Sequence, residues 1–505
     1  MNTGLLVEHF WKHVTDTPHA LALSELQASG RQNWTWRELS DLVTQYAYVF
    51  TQQAAEGVQH IGSCLVNSVH WIAIDLACQS LGLVHVAIDP RESNDRVIEL
   101  TRFADCRLLL CAPETSVALR SLGLEQVRPI LPLKIPERSD SGTLAASAAQ
   151  LNPSAAALML FTSGTTGAHR GVMLSHDNLV TNASAKLMAA PQDSYDIRIN
   201  VLPFCHAYAR TCELSTWLLT KGLLCLGGTW ERVIDWAPRV QPTLINVVPF
   251  LADKISTYLQ TNRHGLGDRL RLLQVGGAGL NSTTWQELAE LGLPPLIGYG
   301  LTEASPVICS NFSHDQRSDT VGTAVQGVEI RIDENYVLWT RGPHVMLGYW
   351  QDQNETRRVI CNGWLCTGDL ARITSSGHVQ ILGRLNSQIC LSTGYKVSPE
   401  PLEFRILCDP AIQHVVLVGN NEPFLRALVW PTSIVDKKDT AAWLESRYQR
   451  AAETLQGFPS YMIPTRFELL PGPLSVANRT LTRKGTLRRA AIAQWLSSTQ
   501  DTLSL

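Results

Sequence analysis

The densest run of chemistry-bearing residues lies between Leu158 and Val172. An apolar stretch enters Thr162-Ser163-Gly164-Thr165-Thr166-Gly167, then passes through Arg170 and Gly171 into a second apolar stretch. Gly164, Gly167 and Gly171 admit backbone conformations closed to other residues. Their N–H groups, with the hydroxyls of Thr162, Ser163, Thr165 and Thr166, suit a polyphosphate cradle. Arg170 adds a fixed positive charge of the kind that pairs with phosphate. The same composition also fits a plain polar loop. The spacing is not Gly-x-x-x-x-Gly-Lys-Ser/Thr, which excludes an ordinary P-loop NTPase. Three more residues invite a chemical reading. Glu303, after Thr302, is a carboxylate that can hold a divalent cation or simply face water. Asp369 can accept two hydroxyl hydrogen bonds or cap a helix. His206, beside aromatic and apolar residues, reads alone as a satisfied core histidine.

Together these stretches follow an order that resembles the adenylate-forming superfamily of acyl-CoA synthetases, fatty acyl-AMP ligases, adenylation domains and luciferase. Thr162 to Gly171 is similar to its phosphate signature, with His169 and Arg170 where Pro and Lys are usual. Trp34 to Leu39, Asn67 to Asp89, Leu202 to Thr211, Gly276 to Leu280, Gly298 to Pro306, Gly363 to Leu370 and Gly383-Arg384 resemble its further motifs in sequence order. The resemblance covers nearly the whole chain and is closest to stand-alone long-chain acyl-CoA or acyl-carrier-protein synthetases. It implies that ATP and Mg2+ are used, with Glu303 as the magnesium carboxylate and Thr302 beside the α-phosphate. Tyr299 and Gly300, with Gly277 and Ala278, would line the adenine pocket, and Asp369 and Arg384 would hold the ribose. His206 would gate the acyl site and help place the carboxylate. Arg210 is open between a substrate role and a surface ion pair.

The resemblance further implies activation of a carboxylic acid as acyl-adenylate with release of pyrophosphate. Transfer to the pantetheine thiol of CoA or an acyl carrier protein follows. Amino-acid-activating relatives place an Asp in the pocket motif to pair with the substrate ammonium. Between Leu202 and Leu218 the only acid is Glu213, and an unpaired buried ammonium is costly. The expected substrate is therefore a fatty or aryl-aliphatic acid without an α-amine. Two departures stand out. The hinge position is Asn386, and the usual C-terminal lysine position holds Thr486. Lys484, two residues earlier, would lie about 7 Å away on the same face of an extended segment, and is the candidate replacement. The competing readings are an adenylation-impaired homologue that mainly transfers acyl groups or ligates amines, and a non-catalytic nucleotide-binding protein.

The chain that must position these residues has 505 residues, 45% apolar and 17% charged. The charged share lies below the usual ~25%, which argues against a disordered chain, and the length calls for at least two domains. A net charge of −3 argues against nucleic acid as a main partner. The 12 cysteines lack paired spacing, so we expect no zinc site and mostly buried, reduced thiols of a cytoplasmic protein. No segment reads as a secretory signal or a membrane span.

Apolar runs at Leu83–Ile88, Arg107–Leu110, Leu244–Val248 and Leu272–Val275 alternate with helical patterns at His70–Gln79 and Arg96–Phe103. That alternation predicts an α/β fold with mostly parallel sheets. Pro132 to Ala157 reads as a surface connection. With the resemblance, the expected division is a large ATP- and acyl-binding domain over 1–385 and a small, mobile α+β lid over 386–505. The basic run Arg479, Arg483, Lys484, Arg488 and Arg489 reads otherwise as a solvated surface or an acidic partner's docking patch.

Overall fold

Two α/β sheets organise the first two-thirds of the chain. The computed structural model describes residues 4–27, 29–54, 57, 59–130, 141–163, 169–436, 438–481 and 487–503. The chain divides into two compact units. The first comprises residues 1–331, 339–367 and 373–380, the second residues 332–338, 368–372 and 381–505.

The first unit begins with the hairpin β1 (Leu21–Gln27) and β2 (Gly30–Thr35), followed by β3 (His60–Cys64), β4 (Val84–Ile88), β5 (Leu108–Cys111) and β6 (Val127–Pro129). Then come β7 (Ala156–Ser163), β8 (His169–Ser175), β9 (Ile197–Asn200), β10 (Leu223–Leu226) and β11 (Leu244–Val247). β12 (Leu272–Val275), β13 (Leu296–Gly300), β14 (Val307–Ser310) and β15 (Thr323–Ala324) complete the set. Among the described residues, one sheet orders them β15-β14-β13-β12-β11-β9-β10-β1-β2. The other runs from Gly348–Tyr349 through β8-β7-β4-β3-β5 to β6. The central strands of each sheet are parallel to their neighbours, with antiparallel additions at the edges.

The reason is visible in the residues. β4, β5, β11 and β12 are buried along their whole length, because helices cover both faces of a parallel sheet. Two of the covering helices show how their ends are fixed. Ser68 caps Val69–Leu81 by accepting from the Trp71 N–H, and Gly82 closes it in the left-handed conformation. Ser175 and Asn178 form a reciprocal capping box on His176–Ala189. The segment expected as a surface connection departs from that reading. It contains a helix, Ser141–Ala148, which buries Leu144 and Ala148, and its end already belongs to β7. Eight of the twelve cysteines are buried and none is bridged. Among the described residues, no helix is long and apolar enough to cross a membrane.

The second unit is α+β. Strands Ile412–Val418, Arg426–Pro431 and Arg466–Leu469 form a sheet whose core takes in Leu402, Ile406, Val415, Leu417, Val429 and Leu455. Arg489 does not lie on a solvated basic face, as its run suggested. It points inward, with Nη1 3.1 Å from Glu403 Oε1 and Nη2 on Oε2. Burial pushes the Glu403 carboxyl up, and Arg489 and the Leu417 N–H pull against that. Removing one partner of a buried pair strands the other charge. Arg489→Ala is therefore expected to destabilise the second unit by roughly 3–5 kcal/mol. The check is a lower urea midpoint with faster amide exchange in Pro399–Ile406 and in the helix that starts at Arg489.

Candidate active site

Ligands of open α/β sheets gather at the carboxyl ends of the strands. Four adjacent parallel strands, β9, β11, β12 and β13, end on one edge here. Asn200 leads into Leu202–His206, and Val275 into the exposed turn Gly277-Ala278-Gly279. Gly300 leads into the short 3-10 turn Thr302–Ala304. His206, Gly277, Ala278, Tyr299, Gly300, Thr302 and Glu303 are thus brought to one sheet edge by topology alone. Gly300 is needed on steric grounds, since a Cβ there would fall 1.7 Å from the Pro306 carbonyl oxygen.

Glu303 is half-buried and its position is set from a distant segment. The Tyr349 hydroxyl donates to Glu303 Oε1 at 3.0 Å, and the Met346 N–H donates to the Glu303 carbonyl at 2.9 Å. Burial, then the nearby Glu303 charge, pushes the Tyr349 phenol up, so it stays a donor. Tyr349 pairs with Val172 beside the β7–β8 hairpin, in which Thr162 faces Arg170. Arg170 stacks over the Tyr349 ring at 5.3 Å and forms an ion pair with Glu355 at 2.8 Å. The arginine expected to meet phosphate is therefore held between a ring and a carboxylate. Gly164, Thr165, Thr166 and Gly167, the Ser163 side chain, and Lys484 and Thr486 lie outside the described residues. Tyr349 was missed in the sequence because a lone tyrosine between Gly348 and Trp350 is indistinguishable from a core aromatic.

His206 belongs to a second small cluster. Arg91 donates to Asp89 through Nε (2.9 Å) and Nη2 (2.6 Å), and Nη2 also donates to His206 Nε2 at 3.1 Å. Burial raises the Asp89 carboxyl, but Arg91 outweighs it and holds the group below the usual range. Asp89 follows β4, so both sheets contribute to this cluster. Arg91 gave no signal in the sequence, because 115 residues separate it from His206.

Arg210 makes no surface ion pair. It is fully buried and donates to Asp75 Oδ2 at 2.8 Å and Ser215 Oγ at 2.7 Å. Asp75 also accepts from Gln79 and from His85 Nδ1, whose Nε2 lies 2.7 Å from Ser63 Oγ. Burial works against the Asp75 charge, but Arg210 and the His85 and Gln79 hydrogen bonds hold its carboxyl low. Glu213, in the same turn, is also fully buried. Burial pushes it up to about 8 despite the Asn200 hydrogen bond.

In the second unit, Asp369 and Arg384 meet. Asp369 is buried, and the exposed Arg384 approaches its Oδ1 with Nε at 3.1 Å. Asn386 lies just beyond, in the exposed turn Leu385–Ser387.

Residues 10–350 match the family described as AMP-binding enzyme, and residues 386–499 match the AMP-binding enzyme C-terminal domain. The chain is 24% identical over 450 residues to the long-chain-fatty-acid–CoA ligase FadD15 of Mycobacterium bovis, covering 76% of this chain and 74% of the relative. It is 30% identical over 295 residues to a long-chain-fatty-acid–CoA ligase of Escherichia coli O157:H7, covering 54% of this chain. That match spans only about half of the relative, 51%. Among solved structures, the anthranilate CoA ligase AuaEII with anthranoyl-AMP is similar at a TM-score of 0.81 and 18% identity, covering 98% of each chain. The fold is therefore the mixed α/β architecture of these ligases, with a large N-terminal part and a smaller C-terminal one.

The buried Glu213 carries a measurable signature. Its folded pKa of about 8 exceeds the unfolded value of 4.5, so the folded state holds a proton that the unfolded chain has released. Stability contributed by this site falls as pH rises from about 4.5 to about 8, by at most about 1.4 kcal/mol per pH unit. Glu213→Gln is expected to remove that slope, read as urea midpoints at pH 5, 6.5 and 8 for both proteins.

Proposed function

The chain belongs to the AMP-binding enzyme family, and from that premise we propose that it is an acid–thiol ligase. A substrate carboxylate oxygen attacks the α-phosphorus of ATP, forming acyl-adenylate as the bond to pyrophosphate breaks. The thiol of CoA then attacks the acyl carbonyl carbon, its proton is lost, and AMP leaves. The long-chain-fatty-acid and feruloyl names of the relatives, with the missing ammonium partner, favour a fatty or aryl-aliphatic acid without an α-amine.

The observation that supports this reading most is Glu303 at the shared strand edge, aligned by Tyr349. Magnesium takes one or two carboxylates with phosphate oxygens and water, and a half-buried carboxylate with one oxygen already fixed fits that need. When bound, Mg2+ supplies charge neutralisation to the triphosphate. Thr302 contacts the α-phosphate, and Thr162 with the loop after it binds the β- and γ-phosphates. Arg170 serves there by holding Tyr349, with its charge shared with Glu355. Tyr299, Gly300, Gly277 and Ala278 take the adenine. Asp369, oriented by Arg384, accepts the ribose hydroxyls. His206, held by Arg91, places the acid carboxylate. Residues 386–505 act as a lid that turns about Asn386 between the two half-reactions, and Lys484 replaces the bridging lysine absent at Thr486.

Pyrophosphate release with Mg·ATP and a panel of acids, without thiol, tests the first half-reaction. We expect release with fatty or aryl-aliphatic acids, none with amino acids, and none after chelation of the metal. Glu303→Gln should lower the rate about 10²–10³-fold; an unchanged rate would remove Glu303 from the reading. Lys484→Ala should cost a similar factor, and Thr486→Lys should restore activity to that variant. A Lys484→Ala protein as active as the parent would leave the bridging charge to another residue.

A further inference from the structure

Directly beneath the Gly277–Gly279 turn lies a group of buried polar atoms that the fold leaves without partners. Gln274 is 1% exposed, and neither its Nε2 nor its Oε1 has a hydrogen-bond partner. Asn246 faces it across the parallel strands β11 and β12. The Asn246 Nδ2 donates to the Cys212 carbonyl at 3.0 Å, while its Oδ1 has no partner. Glu213 Oε1 and the Tyr208 hydroxyl, from the helical turn that packs over these strands, are likewise buried and unpartnered. The Asn246 side chain also lies within hydrogen-bonding reach of the Glu213 carboxyl, and Tyr208 is close to it.

Buried polar groups are nearly always paired, and each one left alone costs about 1–3 kcal/mol. Five such atoms gather here on three neighbouring elements, and their place points to a use. Gln274 lies in β12, and Gly276 directly follows the strand two residues on, where it opens into the exposed turn. The Tyr208 ring lies on Gly276, where a Cβ would come within 3.1 Å of it. The polar group therefore continues inward from the edge that carries His206 and Tyr299.

We propose that Gln274, Asn246, Glu213 and Tyr208 form the inner end of the acid-binding site, and that they recognise an uncharged hydrogen-bonding group on the acid's tail. A hydroxyl, phenol or amide fits, because the four residues offer both donors and acceptors. A plain hydrocarbon tail does not, because it would leave all five atoms unpaired. The proposal rests on the acid-activating reading above and narrows it to acids bearing such a group. Burial pushes the Glu213 carboxyl up, which favours a neutral neighbour there.

The test compares matched acids: decanoate against ω-hydroxydecanoate, and phenylpropanoate against its para-hydroxy analogue. With the full chain and Mg·ATP, we expect at least a tenfold higher kcat/KM of pyrophosphate release for the hydroxylated member of at least one pair. A site built to bond a hydroxyl rejects the analogue that lacks it by at least that much. Gln274→Leu should erase or invert the preference through the KM of the acid, with the KM of ATP unchanged. Preference of the parent protein for both unsubstituted acids would overturn the proposal. So would a preference unmoved by Gln274→Leu, even if that variant melts higher, because the orphaned atoms would then be only a stability cost. If no acid releases pyrophosphate, the activity reading fails, and binding decides the inference separately. A thermal shift by a hydroxylated acid, stronger than by its partner and lost in Gln274→Leu, supports it; equal shifts or none sink it.

Discussion

The buried contact between Asp75 and Arg210 is the constraint on which the arrangement of the first unit depends. Asp75 belongs to the helix Val69–Leu81 that packs on the β3–β4 side, where His85 and Ser63 complete its hydrogen bonds. Arg210 belongs to the turn that follows β9 of the other sheet. A charged carboxylate without its cation is costly at full burial, and so is the reverse. A packing of the two sheets that separated these charges would carry that cost. The packing that joins them also carries Asp89, after β4, next to His206, after β9. A mechanical joint and the cluster around His206 thus share one origin.

Much of the candidate site could be picked out in the sequence because its residues sit where strands end. Short runs of glycine, threonine and serine after apolar strands survive as local signals, and β4, β11 and β12 read as strands because strands covered on both faces are mostly apolar, with His85, Asn246 and Gln274 as their buried polar exceptions. The α/β fold and the family follow from that alternation and from motif order. What remained illegible was long-range pairing. Tyr349 meets Glu303 46 residues away, and Arg210 meets Asp75 at 135. A single charged residue in an amphipathic pattern looks the same whether its partner is water or a distant carboxylate. Arg210 therefore read as undecided, and Arg489 as part of a solvated patch, although both turn inward. The helix Ser141–Ala148 was lost among Pro, Ser and Ala, since a two-turn helix with only Leu144 and Ala148 buried leaves almost no periodicity.

The placement of charge around Glu303 separates structure from chemistry. Arg170 is spent on Glu355 and the face of Tyr349, so it stiffens the segment that aligns the carboxylate. Arg91 is shared between Asp89 and His206, which fixes the imidazole by its Nε2. In both cases an arginine acts through a second residue. The planar guanidinium makes that possible, since it can bond on one edge while stacking or bonding on another.

The distribution of thiols has a practical consequence. Burial pushes the thiols of Cys64, Cys78, Cys106, Cys111, Cys212, Cys225 and Cys309 well above their ordinary value, leaving them as unreactive neutral groups. Cys361, Cys390 and Cys408 are exposed. Cys361 belongs to the first unit, and the other two to the second. The native chain therefore carries labelling positions on each side of Asn386, and replacing Cys408 leaves a pair of exposed thiols. A donor and an acceptor dye on that pair would report distance between the units during turnover, without a cysteine being added.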